Sequence, residues 1–448
     1  MNVPAEHRAE LLLGVALAAI MAQLTMNPVG AVSAALVVVG LVASVGCARE
    51  VGHSERTPRG LWPSVAILAI TAVARAPLGS HDLWSYAFYG RLVAFHHSSP
   101  YTTTARRFPH DLVYPLVGWR DTPSVYGPIF TAYSAVVARA AGDSLVALRL
   151  GFQLPAAAAV IGSLGVLRRF RRHSTLTLFA LQPFVWISVV NGGHNDAILA
   201  VLLLVAVLAF QGGRTWASAA LIAAATLVKM SGGLLVIPLV VIALTRRRWA
   251  DAIVLAGMPT LALAVSGVAI PQLLTNAGGA TSHKISQASV WRPLWLATDL
   301  DPRLLTTLAG VTVLALAAAI AWRHRHARNA TTSGSASLAV FSFAASYTLP
   351  WYAVWGFPIA ALGGDLVAAG LIAARGSLMT ASYQLHGVTR LEDAASVLIT
   401  GLAPLALFVL FLRHHLTSDQ VTPGRRPGSR WRKARNPGAI GSQNVASR

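Results

Sequence analysis

Residues 196–248 read DAILAVLLLVAVLAFQGGRTWASAALIAAATLVKMSGGLLVIPLVVIALTRRR, and this stretch decides the fold. Apolar runs at 196–211, 216–230 and 232–245 follow one another across short breaks, and the last ends in Arg246, Arg247 and Arg248. Each is a little shorter than the ~20 residues a membrane helix usually needs. Backbone groups in hydrocarbon must pair within their own segment, so runs of this kind are helices and not strands. The pattern extends outward in both directions. Toward the amino end, runs fall at 10–26, 30–47, 61–76, 143–167 and 174–190; toward the carboxyl end, at 251–272, 304–322, 335–349, 353–374 and 395–412. Of the 448 residues, 55% are hydrophobic and 12% charged, with a mean hydropathy of +0.58. A soluble domain carries roughly 25% charged residues, so an ordinary soluble fold is excluded. The reading is an all-α polytopic membrane protein, a bundle of about 12–14 transmembrane helices with a long first external loop.

The charge is lopsided: 36 Lys and Arg against 16 Asp and Glu, a net +20. In a soluble protein such an excess points to nucleic acid. Here the basic residues form short clusters between apolar runs, which reads as topology signalling and contact with membrane lipids, with no nucleic-acid partner. The clusters are Arg56 and Arg59; Arg168, Arg169, Arg171 and Arg172; Arg246 to Arg248; and Arg323, Arg325 and Arg328. All four can be cytoplasmic if the amino terminus is inside and 77–142 is one external loop. That loop would carry interfacial helices, including 126–142, in place of a full span over 124–141. The first run lacks a small-residue cleavage site and is read as a retained helix. The single Cys47 excludes an internal disulfide and any Cys-based metal site. Residues 1–412 are thus expected to form one transmembrane domain. The tail, 413–448, rich in Gly, Pro, Ser and Arg, is expected to be disordered. Thirteen runs would leave that basic tail outside, so 376–393 is expected to hide one more crossing or a re-entrant piece.

Polar residues collect near the predicted outer face. Asp82 stands where a span ends, in His81-Asp82-Leu83-Trp84-Ser85-Tyr86, and Tyr86 shares its face if the segment is helical. A carboxylate among apolar rings loses hydration, and its pKa rises toward the range useful to a general base; the competing reading is a helix cap. Asp121 to Pro128 continues the loop through Tyr126-Gly127-Pro128. The turn Asn191-Gly192-Gly193-His194-Asn195-Asp196 offers donors and acceptors between two spans, with Asp196 alternatively a first-turn cap. Lys229, at the outer end of its run, is a functional candidate by default, with a lipid phosphate as its obvious partner and snorkelling as the bland alternative. The loop 273–292 adds His283, Lys284 and Arg292 and is read as a mobile lid. Trp351 and Tyr352 follow Pro350 at another outer helix end. His194 and Asp196 lack a third partner, so a divalent metal is possible but has no clear ligand set, and no cofactor is certain.

The phrases DLWSYAFYGR, SPY, YGP, GGHNDA and PWY, in that order over about residues 82–355, resemble the GT-C glycosyltransferases. The closest resemblance is to the actinobacterial α-1,6-mannosyltransferases that use polyprenyl-phosphate mannose. The resemblance implies Asp82 as catalytic base. Tyr86, His194, Asn195, Asp196 and Lys229 match motif positions and are read as substrate-binding; Arg91, Tyr126, His283, Lys284, Arg292, Trp351 and Tyr352 are read so from their own placement at the outer face. His81 precedes Asp82 where other members pair two acids, which leaves metal dependence open. The implied enzyme is an extracytoplasmic hexosyltransferase of the cell membrane. It takes a sugar, mannose first, from a polyprenyl-phosphate donor to a glycan or glycolipid acceptor, with inversion. The alternative is a secondary transporter or flippase of lipid-linked sugars, although such a protein places its site near the midplane.

Overall fold

The computed structural model describes residues 3–327, 329–385 and 398–417. Every regular element among them is helical. The two opening runs become α1 (Ala5–Met26) and α2 (Gly30–Ser54), an antiparallel hairpin closed by Asn27 in the left-handed region (φ 47°). Next come α3 (Leu61–Ala74), α4 (Asp82–Ala94) and α5 (Pro128–Ala141), the last with proline at its first turn. Ser144 caps α6 (Leu145–Arg169) by accepting the N–H of Ala147. The following pass is α7 (His173–Ala180) continued by a π-helical stretch, Val185–Val190. Then come α8 (Asp196–Gln211), α9 (Thr215–Val228), a 3-10 turn Met230–Leu235 and α10 (Val236–Thr245). They are followed by α11 (Trp249–Ala269), the short α12 (Gln272–Gly279) and α13 (Arg292–Ala297), and α14 (Pro302–Arg323), which Asp301 caps. The last group is α15 (Ala330–Ala344), α16 (Phe357–Gly363), α17 (Leu366–Gln384) and α18 (Ala403–Leu412). Among the described residues, seven helices are long and apolar enough to cross a membrane, and four apolar helices are shorter. The chain is a polytopic membrane protein.

Contacts between helix ends define two ends of the bundle. At the basic end, Arg8 pairs with Glu50 (2.7 Å), Arg56 with Glu6 (3.4 Å), and Arg246 donates to the carbonyl of Ala327 (3.0 Å). The other end gathers Asp82, Asp111, Asp196 and Lys229. Both ends of α5 lie there: Gly127 N–H donates to Val228 O (3.1 Å), and Arg91 Nη1 to Gly142 O (2.9 Å). So α5 lies across that end with α4 and does not traverse the bundle. Between the ends, large rings fill the core. Phe184 stacks on Phe357 with centroids 5.7 Å apart, and Phe343 on Phe411 at 4.4 Å.

Two expectations change. The run 353–374 is not one span. Gly364 adopts φ +76°, Asp365 caps the next helix by accepting the N–H of Ala368, and α17 runs back on α16. That reversal supplies the extra crossing expected from 376–393, of which 376–384 belong to α17; 386–393 lie outside the described residues. It also brings the end of the described chain to the basic end, where His414 Nε2 meets Asp365 Oδ2 at 2.8 Å. The tail is helical through Arg413–Thr417; 418–448, like Arg328, lie outside the described residues.

The loop 273–292 is likewise no free lid. Asn276 Nδ2 donates to Tyr101 O (2.8 Å) and Ser124 O (3.2 Å). Ser289 Oγ donates to Ala345 O (3.1 Å), and Trp291 Nε1 to Ala344 O (2.7 Å). The broken end of α15 leaves carbonyls unpaired, and this loop satisfies them.

Candidate active site

Asp82 opens α4 and is 8% exposed. Its Oδ1 accepts the indole N–H of Trp119 at 2.8 Å, so the carboxylate faces the long loop and does not cap its own helix. Burial pushes its carboxyl up to about 6, against the Trp119 hydrogen bond and the charge of Lys229, which favour the ionised form. Oδ2 lies 3.8 Å from His194 Nδ1, itself 3.1 Å from the Tyr86 hydroxyl.

His194 is fully buried. Gly193, in the left-handed region at φ +61°, turns the chain so that the imidazole stacks on Trp351 with centroids 3.6 Å apart. Burial, and secondarily Lys229, hold the imidazole well below its ordinary pKa, so it is a neutral hydrogen-bonding group. Next to it, Asp196 Oδ1 accepts from Lys229 Nζ (2.8 Å) and Trp355 Nε1 (2.6 Å). Asp196 is therefore a partner for Lys229 and not a cap. Among the described residues, neither side-chain atom of Asn195, nor His194 Nε2, nor Asp196 Oδ2 meets a protein partner.

Lys229 leaves the end of α9 in extended backbone (φ −154°, ψ 126°) and is not snorkelling. Its ammonium sits 4.3 Å from the Tyr352 ring centroid and 5.4 Å from that of Trp355, a cation–π cage in addition to the Asp196 pair. Gly127 fixes this corner: a β-carbon there would fall 2.0 Å from the carbonyl oxygen of Leu227, so only glycine lets the Tyr126-Gly127-Pro128 turn abut α9.

These groups surround a cavity of about 730 Å³. At its polar end stand Asp82, Ser85, Tyr126, Lys229 and Tyr352, with Trp119 beside them. From there it runs between α10 and α14 along Leu234, Ile237, Val313 and Leu314. Leu314, on the long apolar helix α14, lines the cavity and is 54% exposed, so the apolar part is accessible and is walled by a candidate spanning helix. A second cavity, about 540 Å³, shares Trp119, Thr122 and Ala280 with the first and is otherwise lined by α12 and by loop residues, including His283 and Lys284.

The candidates read from the sequence therefore separate. Asp82, Tyr126, Lys229 and Tyr352 line the first cavity; Tyr86, His194, Asn195, Asp196 and Trp351 stand behind its wall. His283 and Lys284 belong to the second. Arg91 is a correction: its Nε spans both oxygens of buried Asp111 (3.1 and 3.0 Å), and Nη2 reaches Asp143 (3.3 Å), a strut inside the loop. Arg292 starts α13, lies 5.9 Å over Trp295, and lines neither cavity. Trp119 was missed. Its one signal is an indole in a polar loop, between Gly118 and Arg120, far from any apolar run. Among the described residues no three His, Cys, Asp or Glu side chains converge to hold a metal ion.

A family model described as alpha-(1->6)-mannopyranosyltransferase, N-terminal domain, matches residues 10–246. Alpha-(1->6)-mannopyranosyltransferase A of Mycobacterium tuberculosis (strain ATCC 25618 / H37Rv) is 26% identical over 361 residues, which cover 72% of this chain and 68% of that protein. No solved structure matches.

Proposed function

The chain belongs to the alpha-(1->6)-mannopyranosyltransferase family, and from that premise we propose that it transfers mannose from a polyprenyl-phosphate donor, at the outer face of the membrane, with Asp82 as general base. One observation carries the reading: a single cavity has a carboxylate and a lysine at its polar end and an apolar groove, walled by the candidate spanning helix α14, at the other. A nucleotide sugar has no use for such a groove; an isoprenoid chain does.

In the proposed step the acceptor oxygen bonds to the anomeric carbon as the carbon–oxygen bond to the phosphate breaks. The hydroxyl proton passes to the Asp82 carboxylate, and the bonding electron pair stays on the departing phosphate. Lys229 has three N–H donors; Asp196 takes one, and the others can face that phosphate, where charge accumulates. His194, hydrogen-bonded to the Tyr86 hydroxyl, stands behind the second Asp82 oxygen at 3.8 Å and closes that side of the carboxylate. Attack opposite the phosphate inverts the centre, so a β-linked donor gives an α-linked product. A glycan or glycolipid acceptor completes the reaction.

The test compares Asp82→Asn with Lys229→Met in purified, correctly inserted protein. Asp82→Asn should lower turnover by roughly 10²–10⁴-fold, the usual contribution of a general base, with donor binding little changed. Lys229→Met should weaken polyprenyl-phosphate-mannose binding as well as turnover. Loss of donor binding in Asp82→Asn, with both binding and turnover intact in Lys229→Met, would overturn the assignment.

A further inference from the structure

The second cavity has no part in the step just described, yet it shares Trp119, Thr122 and Ala280 with the first, and Trp119 is the one that touches Asp82. The edge of the Trp119 indole donates to Asp82, while the ring face carries Lys284 Nζ at 3.7 Å from its centroid. A molecule in the second cavity is thus separated from the Asp82 carboxylate by little more than one aromatic ring.

We propose that this second cavity is the acceptor subsite, and that it takes a hydroxyl-rich carbohydrate whose attacking hydroxyl passes the edge of Trp119 to reach Asp82. The inference rests on the proposed function and adds to it where the acceptor binds. Three observations carry it. The chemistry of the walls differs from that of the first cavity: Arg120, Thr122, Thr275, His283 and Lys284 offer hydrogen bonds, and no spanning helix contributes an aliphatic wall. A polyprenyl chain belongs in the other chamber.

The cations, moreover, are not arranged for a second phosphate. Arg120 spends Nε on Val117 O (3.2 Å) and Nη2 on Pro115 O (3.1 Å), and Asp121 is held by Arg106. Lys284 rests its ammonium on the Trp119 ring and keeps N–H donors that a hydroxyl can accept. What faces the space is a set of single donors and hydroxyls beside an indole, which suits sugar hydroxyls and the apolar face of a pyranose. Finally, the site is built: Asn276 ties the wall made by α12 to the opposite loop through two carbonyls.

The experiment uses the full chain in lipid nanodiscs with an alkyl α-mannoside as acceptor probe. Thr275→Trp places a bulky ring in the second cavity from an exposed position whose hydroxyl bonds only within its own helix. His283→Ala removes one wall donor without bulk. Mannoside binding is measured by calorimetry without donor, and the KM of each substrate in the transfer assay. Thr275→Trp should weaken mannoside binding and raise its KM by about tenfold or more, which is ~1.4 kcal/mol, with the donor KM unchanged. His283→Ala should move the same two quantities less. Unchanged mannoside affinity in both variants, a rise in donor KM instead, or displacement of the mannoside by inorganic phosphate would overturn the proposal. If wild-type protein binds the mannoside at this cavity but transfers nothing from polyprenyl-phosphate mannose, the proposed function fails and the cavity assignment stands.

Discussion

Asp82 reaches a pKa of about 6 because two tendencies oppose each other: burial favours the neutral acid, while the Trp119 N–H and the Lys229 charge favour the carboxylate. Only the carboxylate can accept a proton. As a base raised above its ordinary value, Asp82 is active above pH 6 and is lost as the pH falls through it. The kcat/KM profile should therefore show an acid limb near pH 6. Trp119→Phe removes a hydrogen bond to the charged form, and such bonds are worth roughly 1.5–3 kcal/mol. At 1.36 kcal/mol per pKa unit, the limb should move to higher pH by about one to two units. A Trp119 that merely packed would lower the rate and leave the limb in place. Arg91 makes a contrasting residue. Its guanidinium pairs with Asp111 out of water, so Arg91→Met leaves that buried carboxylate with only His96 and the Val113 N–H, a loss approaching the roughly 3–5 kcal/mol of a fully broken buried pair. Thermal melts should drop steeply, while the donor KM of the protein that remains folded is unchanged.

At the scale of elements, the site depends on α4 and α5 lying across the ends of the spanning helices. The contact of Gly127 with Leu227 is the joint that holds α5 against α9. Gly127→Ala forces the two apart by a β-carbon, and overpacking of this kind costs typically 1–3 kcal/mol. Lys229 follows the joint by two residues, so turnover and donor binding should fall together, unlike the pure turnover loss expected of Asp82→Asn. Much of this was legible in the sequence, for a physical reason. Charges are so rare near apolar runs that Asp82, Asp196 and Lys229 stand out at helix ends, and a Gly-Gly turn marks where His194 must reverse. The indole of Trp119 was not legible, because it reaches Asp82 across 37 residues, of which those after α4 are mostly loop without periodicity. Arg91 and Arg292 misled for a related reason, since a sequence shows a cation but not which carboxylate or ring has already engaged it. The split between α16 and α17 was hidden because hydropathy averages over Gly364 and Asp365, although together they form a stop and a cap.

Over the whole molecule, the two ends differ in charge. The basic end carries the arginines of the loops after α2, α6, α10 and α14, and short loops rich in Lys and Arg favour the cytoplasmic side. The proposed function takes this end as cytoplasmic, which turns Asp82 outward, where nucleotide sugars are absent and a lipid-phosphate donor would be the source of mannose. Cys47 is the single cysteine, and it is buried, so a Cys47→Ser background makes introduced thiols readable. His194 is fully buried and unsuited to labelling; His283, exposed beside the second cavity, is suited to it, as is Arg214 in the turn between α8 and α9 at the basic end. In intact cells a membrane-impermeant maleimide should label His283→Cys at once and Arg214→Cys only after permeabilisation. The reverse pattern would put Asp82 in the cytoplasm. There the case for a donor that has already crossed the bilayer disappears, and the apolar groove beside Lys229 would have to hold the acceptor's lipid in place of the donor's.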